Sequence, residues 1–99
     1  MQENRKHPRK ELRPPVSYQV GEGPRVNAVC HDLSLGGMFI ETPTPAGFNA
    51  KVDVFIQLPG MKGETKIPCV VRWTKPDGMG VQFGMMGAKE THALMVLMG

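Results

Sequence analysis

"KVDVFIQL", residues 51–58, decides how the rest of the chain is read. Val52, Val54, Ile56 and Leu58 fall on every second position, with Lys51, Asp53 and Gln57 between them. A period of two puts alternate side chains on opposite faces, so this is a strand with one face in a core and one in water. The same signal extends in both directions. "RVNAVCHDLS" (25–34) places Val26, Ala28 and Cys30 on one face and Asn27, Val29 and His31 on the other. "VSYQV" (16–20), "MFIET" (38–42), "ETKIPCVVRWTK" (64–75) and "MGVQFG" (79–84) complete six short strands. They are separated by "GEGP", Gly36-Gly37, "PTPAGF", "PGMKG" and "PDG", which are turn and loop sequences. Pro68 sits inside the fifth strand and cannot donate to a ladder, so an edge or a bulge is expected there.

The period changes near the end. In "GAKETHALMVLMG" (87–99) Leu94, Leu97 and Met98 fall at helical spacing, which predicts a short helix over about 87–97 with a Met-rich face on something apolar. Six short strands with Gly/Pro turns, then one helix, predict a mainly β fold. The expected architecture is a six-stranded antiparallel β-barrel with a short C-terminal α-helix and a flexible basic N-terminal arm. The arm is residues 1–14 and the barrel with its helix is 15–99, one domain overall.

Charge is concentrated in that arm. Of the net +3, the first 13 residues carry all, with five basic residues against two acidic ones. The remaining residues balance at seven of each sign. Such a segment meets an anion or is a solvated tail. No run approaches the roughly 18 apolar residues of a membrane helix, and nothing of signal-peptide type opens the chain. A cytoplasmic location without membrane insertion is therefore expected. The two cysteines, Cys30 and Cys69, lie in apolar strand-like runs and read as buried thiols rather than a disulfide scaffold. Trp73 reads as core or barrel rim, and most of the six aromatics as core.

Catalytic and metal chemistries lack their patterns. His31, Asp32 and Ser34 are too close in sequence for a hydrolytic triad, and no G-x-S-x-G surrounds Ser34. The histidines and cysteines show neither C-x-x-C nor H-x-x-x-H spacing, so no metal ligands are assigned. Gly21-x-Gly23 opens no helix, and there is no Walker loop. The chain is not expected to be an enzyme or to hold a cofactor.

Two motifs carry recognition chemistry. "RKHPR" (5–9) places Arg5 and Arg9 four apart around Pro8, which argues against a continuous helix. Arginine donates a planar fork to phosphate oxygens or to O6 and N7 of guanine. "HDLSLGG" (31–37) adds the Asp32 carboxylate, an acceptor for guanine N1–H and N2, the Ser34 hydroxyl, and Gly36 and Gly37, which bear no side chains. Arginines for phosphate and an acid for a guanine edge describe a guanine nucleotide site without a Walker loop.

R-x-x-x-R at Arg5 and Arg9, followed 23 residues later by D-x-S-x-x-G at Asp32, Ser34 and Gly37, resembles the signature of the PilZ domain family. "MGVQF" is similar to the G-x-G-V-x-F strand near that domain's end, so the resemblance covers nearly the whole chain. It implies a small bacterial β-barrel that binds the second messenger cyclic di-GMP. It implies that Arg5 and Arg9 clamp phosphate and guanine, that Asp32 accepts from a guanine edge, that Ser34 makes a polar contact, and that Gly37 keeps the surface open. Lys6, Gly36 and Arg13 are auxiliary positions. Arg9 and Arg13 share the same spacing, but Arg13 runs directly into Pro14-Pro15 and the first strand. Many members carry an arginine where this chain has Asn4, a position associated with binding a stacked ligand dimer, so stoichiometry is open. Ligand binding is expected to order the arm and to signal to a protein partner.

Two alternatives stand beside this reading. One is a barrel of the same fold that works as a ligand-free protein adaptor. The other, less favoured, is a nucleic-acid-binding barrel, against which stand the neutral barrel and the few aromatics available for stacking.

Overall fold

The computed structural model describes residues 13–99. Six antiparallel strands run in chain order: β1 (Pro15–Val20), β2 (Arg25–His31), β3 (Gly37–Glu41), β4 (Lys51–Gln57), β5 (Glu64–Lys75) and β6 (Gly78–Phe83). One helix, α1 (Ala88–Met98), follows. The strands close into a barrel in the order β1-β2-β3-β6-β5-β4, with β4 returning to β1.

Alternation explains the inside. Val52, Val54, Ile56 and Leu58 are all buried, as their spacing predicts. They meet Tyr18, Cys30, Ile40, Ile67, Val71 and Met79 in one core. Each fully buried aliphatic side chain contributes roughly 1.5–3 kcal/mol. Tyr18 is the one large polar member, and its hydroxyl is bonded to Thr42 Oγ1 and to the Thr44 carbonyl, both at 2.9 Å. A buried phenol needs such partners.

α1 adds Ala93 and Leu94 to the core, with Leu97 and Met98 packed against it. The helical face read from the sequence is therefore the docked face. Met95 and Val96 are exposed on the helix's other side. Gly99 closes the helix at φ 86°, its N–H donating to the Met95 and Val96 carbonyls. Left-handed backbone at this position is a common helix stop.

Pro68 departs from expectation in part. β5 has β4 on one side and β6 on the other, so Pro68 is not on an edge. Its carbonyl accepts from Gly84 N–H at 2.6 Å, just beyond the end of β6. The ladder to β6 starts one residue later, at Cys69 opposite Phe83, so the missing N–H falls where no strand partner is needed. The bulge of β5 lies further on, between Val71 and Trp73.

Candidate functional site

The site begins where β2 ends. His31 is the last strand residue, and Asp32 turns the chain with φ 51°. Among residues bearing a Cβ, Asp and Asn adopt this left-handed conformation most readily. Leu33 then drops into the core as an anchor.

Ser34 locks the loop that follows. Its Oγ accepts from the N–H groups of Gly36 (3.2 Å) and Gly37 (3.1 Å) and donates to the Gly37 carbonyl (3.1 Å). Ser34 N–H donates to the same carbonyl at 2.9 Å. Gly36 in turn accepts from Phe83 N–H at 2.8 Å, which ties the loop to β6. Gly37 begins β3 opposite Gln82, and a Cβ there would collide with the Val81 carbonyl. Asp32, Ser34 and Gly37 therefore shape one short segment together, supplying in turn a bend, a lock and a close strand approach. The hydroxyl of Ser34 is spent inside the loop, and Gly37 is demanded by backbone packing more than by an open surface.

Beside this loop lies a shallow depression of about 240 Å³, lined in part by Asp32, Ser34, Gly36 and Gly37. Its floor is aromatic. Phe39 and Trp73 stack with ring centroids 5.2 Å apart and planes 16° from parallel. The floor exists because β6 carries glycines on its outer face. Gly80 lies opposite Phe39 on β3 and opposite Trp73 on β5, and a Cβ on it would strike the indole. A Cβ on Gly78 would strike the Phe39 ring.

The bulge aims Trp73. Val71 pairs with Val81 and is fully buried, whereas Trp73 pairs with Gly80 and is 48% exposed. Arg72 is the extra residue between them. In a regular strand, two residues on from the inward Val71, Trp73 would also point inward. A bulge re-aims side chains in this way. Trp73 is therefore not core but part of the outer wall. The expectation that most aromatics are core is likewise corrected. Tyr18 alone is buried, while Phe48 and Trp73 are exposed and the other three phenylalanines half-buried. Alternation in β5 gave no warning, because one added residue inverts every position after it.

A second depression, of about 290 Å³, lies on the far side of the same aromatic pair, with Asp32, Phe39 and Trp73 common to both. Its walls carry Glu41, Asp77, Lys75 and His31. His31 Nε2 and Glu41 Oε1 are 2.6 Å apart, and Lys75 Nζ sits 5.3 Å from the Phe39 ring centre.

The two thiols are buried and unpaired with each other. Burial pushes the Cys30 thiol up to about 12, with the negative charge of Asp32 adding to it, and burial with Asp53 does the same at Cys69. Among the described residues no group of three His, Cys, Asp or Glu side chains could hold a metal ion. No helix among them is long and apolar enough to cross a membrane.

Of the residues named from sequence, Asp32, Ser34, Gly36 and Gly37 come together at the first depression. Arg13 is exposed and lies two residues before β1. Arg5, Lys6 and Arg9 lie outside the described residues. The root of the arm is nevertheless placed: the Pro14 carbonyl accepts from Cys30 N–H at 3.1 Å, two residues before Asp32. Arg9 is five positions before Pro14, a span of at most roughly 17 Å along the chain. Phe39, Arg72, Gly80 and Gln82 were not singled out from sequence. In the sequence, Gly80 and Gln82 read only as part of the "MGVQF" strand, and Phe39 and Arg72 only as strand positions.

Comparison with known proteins bears on the whole chain. The profile described as PilZ domain matches residues 3–97. Among solved structures, the PilZ domain of CeSA from a cellulose-synthesizing bacterium superposes with a TM-score of 0.71 at 20% identity, covering 91% of this chain and 93% of that one. The Bacillus subtilis inhibitor of motility (MotI/DgrA) superposes with a TM-score of 0.67 at 20% identity, covering 96% of this chain and 49% of that one. At that identity the likeness is one of fold. No curated protein matches the sequence.

Proposed function

This chain belongs to the PilZ domain family, whose known members are receptors for cyclic di-GMP, and from that membership we propose that it is itself a cyclic di-GMP receptor. It acts by binding, not by catalysis. Arg5 and Arg9 grip phosphate and guanine from the arm, Asp32 accepts from the guanine N1–H and N2 donors, and Ser34 and Gly37 hold the loop that presents Asp32. Lys6, Gly36 and Arg13 are auxiliary. Trp73 offers the base a flat surface, since stacking on an aromatic face contributes about 1–3 kcal/mol per base.

One observation carries this reading. The Pro14 carbonyl accepts from Cys30 N–H, so the described chain begins two residues from the Asp32 loop, and the arm that carries Arg5 and Arg9 is joined to the barrel there. A ligand between them orders the arm against the aromatic depression. The ordered arm and the exposed Met95–Val96 side of α1 are the surfaces through which a protein partner is addressed.

The test is calorimetric titration of the full chain with cyclic di-GMP, using GTP and cyclic di-AMP as controls. Low-micromolar binding of cyclic di-GMP alone is expected, and the endpoint gives one or two ligands per chain. An absence of binding, repeated by a second method, would leave a ligand-free adaptor. Salt-sensitive binding of single-stranded RNA without nucleotide preference would favour a nucleic-acid barrel.

A further inference from the structure

We propose that Arg72, a residue of the barrel and not of the arm, is a phosphate contact that sets the direction in which the ligand lies; this rests on the cyclic di-GMP reading above. Three independent features converge on it.

The first is placement. Arg72 is the bulge residue of β5, and its side chain lines the depression that holds Ser34 and Gly37. It is the only cation among the described residues lining that depression. The N–H groups of Gly36 and Gly37 in the loop there are both taken by Ser34 Oγ and are not offered to an anion.

The second is preorganisation without neutralisation. Arg72 Nε donates to Gln82 Oε1 at 2.6 Å, and Nη1 donates to Asn49 Oδ1 at 3.3 Å. Asn49 is itself held, its N–H donating to the Val71 carbonyl at 2.8 Å. Both acceptors are neutral amides, so the guanidinium is oriented while keeping its full charge. A guanidinium has five N–H donors, and these two bonds use two of them. Less side-chain freedom is then lost on binding.

The third is polarity across the aromatic wall. Asp32 lines both depressions; the one beyond Phe39 and Trp73 adds Glu41 and Asp77 against Lys75 and the Glu41-bonded His31, where the first adds, among the charged described residues, only Arg72. An anionic phosphodiester is repelled there and attracted on the Arg72 side. The N–H donors of guanine have the opposite preference. The ligand therefore lies with phosphate toward Arg72 and a base edge toward Asp32.

The experiment is calorimetric titration of the full chain with cyclic di-GMP in the wild type, Arg72→Met and Arg72→Lys. Arg72→Met keeps much of the side-chain length and removes the charge. It should weaken binding at least tenfold at an unchanged melting temperature, since the side chain is exposed. Arg72→Lys restores charge without the fork and should fall between the two. Gln82→Leu, which removes the orienting acceptor and leaves the arginine, should lose severalfold. Wild-type binding with an unchanged Arg72→Met affinity would overturn the inference alone. No binding by the wild type would overturn the receptor reading and this inference with it.

Discussion

Trp73 lies across Gly80, its indole nitrogen and adjoining ring carbons filling the space that a Cβ would need. The glycine is thus one half of the aromatic wall. Gly80→Ala should push the indole off the strand, shift Trp73 emission and weaken cyclic di-GMP binding severalfold. Trp73 is the only tryptophan, so its fluorescence reports the change directly. The sharper check is a double-mutant cycle with Trp73→Ala, in which the Gly80→Ala affinity cost should largely vanish. Equal costs in both backgrounds would mean that the glycine serves the ladder and not the wall.

Ser34→Ala removes one hydroxyl and with it three hydrogen bonds that close the Asp32–Gly37 loop. The loop is exposed, so water replaces part of the loss, and a destabilisation of about 1 kcal/mol is expected. The affinity for cyclic di-GMP should fall more than stability does, because Asp32 is presented by this loop. Denaturant melts and titrations on the same samples separate the two effects. A Ser34→Ala protein with unchanged affinity would show that the lock is not needed to present the carboxylate.

Arg9→Ala tests the arm. It should weaken cyclic di-GMP binding at least tenfold, the loss of one charge-assisted contact, while the melting temperature stays put. Arg13→Ala, at the alternative spacing, should cost less. The reverse order would move the motif four residues along the chain.

Both thiols favour their protonated form in the folded chain, each raised from about 9 to about 12. The unfolded chain releases these protons first. Their contribution to stability is therefore complete below about pH 9 and is lost as the pH rises toward 12. Urea melts at pH 8, 10 and 11 should record that fall. It should be shallower in the Cys30→Ala, Cys69→Ala double variant, and an identical fall there would assign the alkaline loss to other groups. At pH 8 both cysteines should resist alkylation, since the thiolate is the reactive form.

Whatever depends on near neighbours was legible in the residues themselves. The alternation of Val52, Val54, Ile56 and Leu58, the Gly/Pro turns and the helical spacing of Leu94, Leu97 and Met98 each involve positions a few residues apart, and each appears in the structure as read. Asp32, Ser34 and Gly37 were legible as a motif for the same reason. Their individual roles were not, because a hydroxyl turned into its own loop and a Cβ clash with Val81 depend on how β3 meets β6. Three further features came from the tertiary fold: β4 closes on β1, Pro68 is tolerated between two strands, and Trp73 faces outward beside Arg72. All three are matters of register between segments far apart in the chain. Side chains alternate with period two, so a single bulge residue moves every later side chain to the other face, and only the pairing partner reveals where it lies.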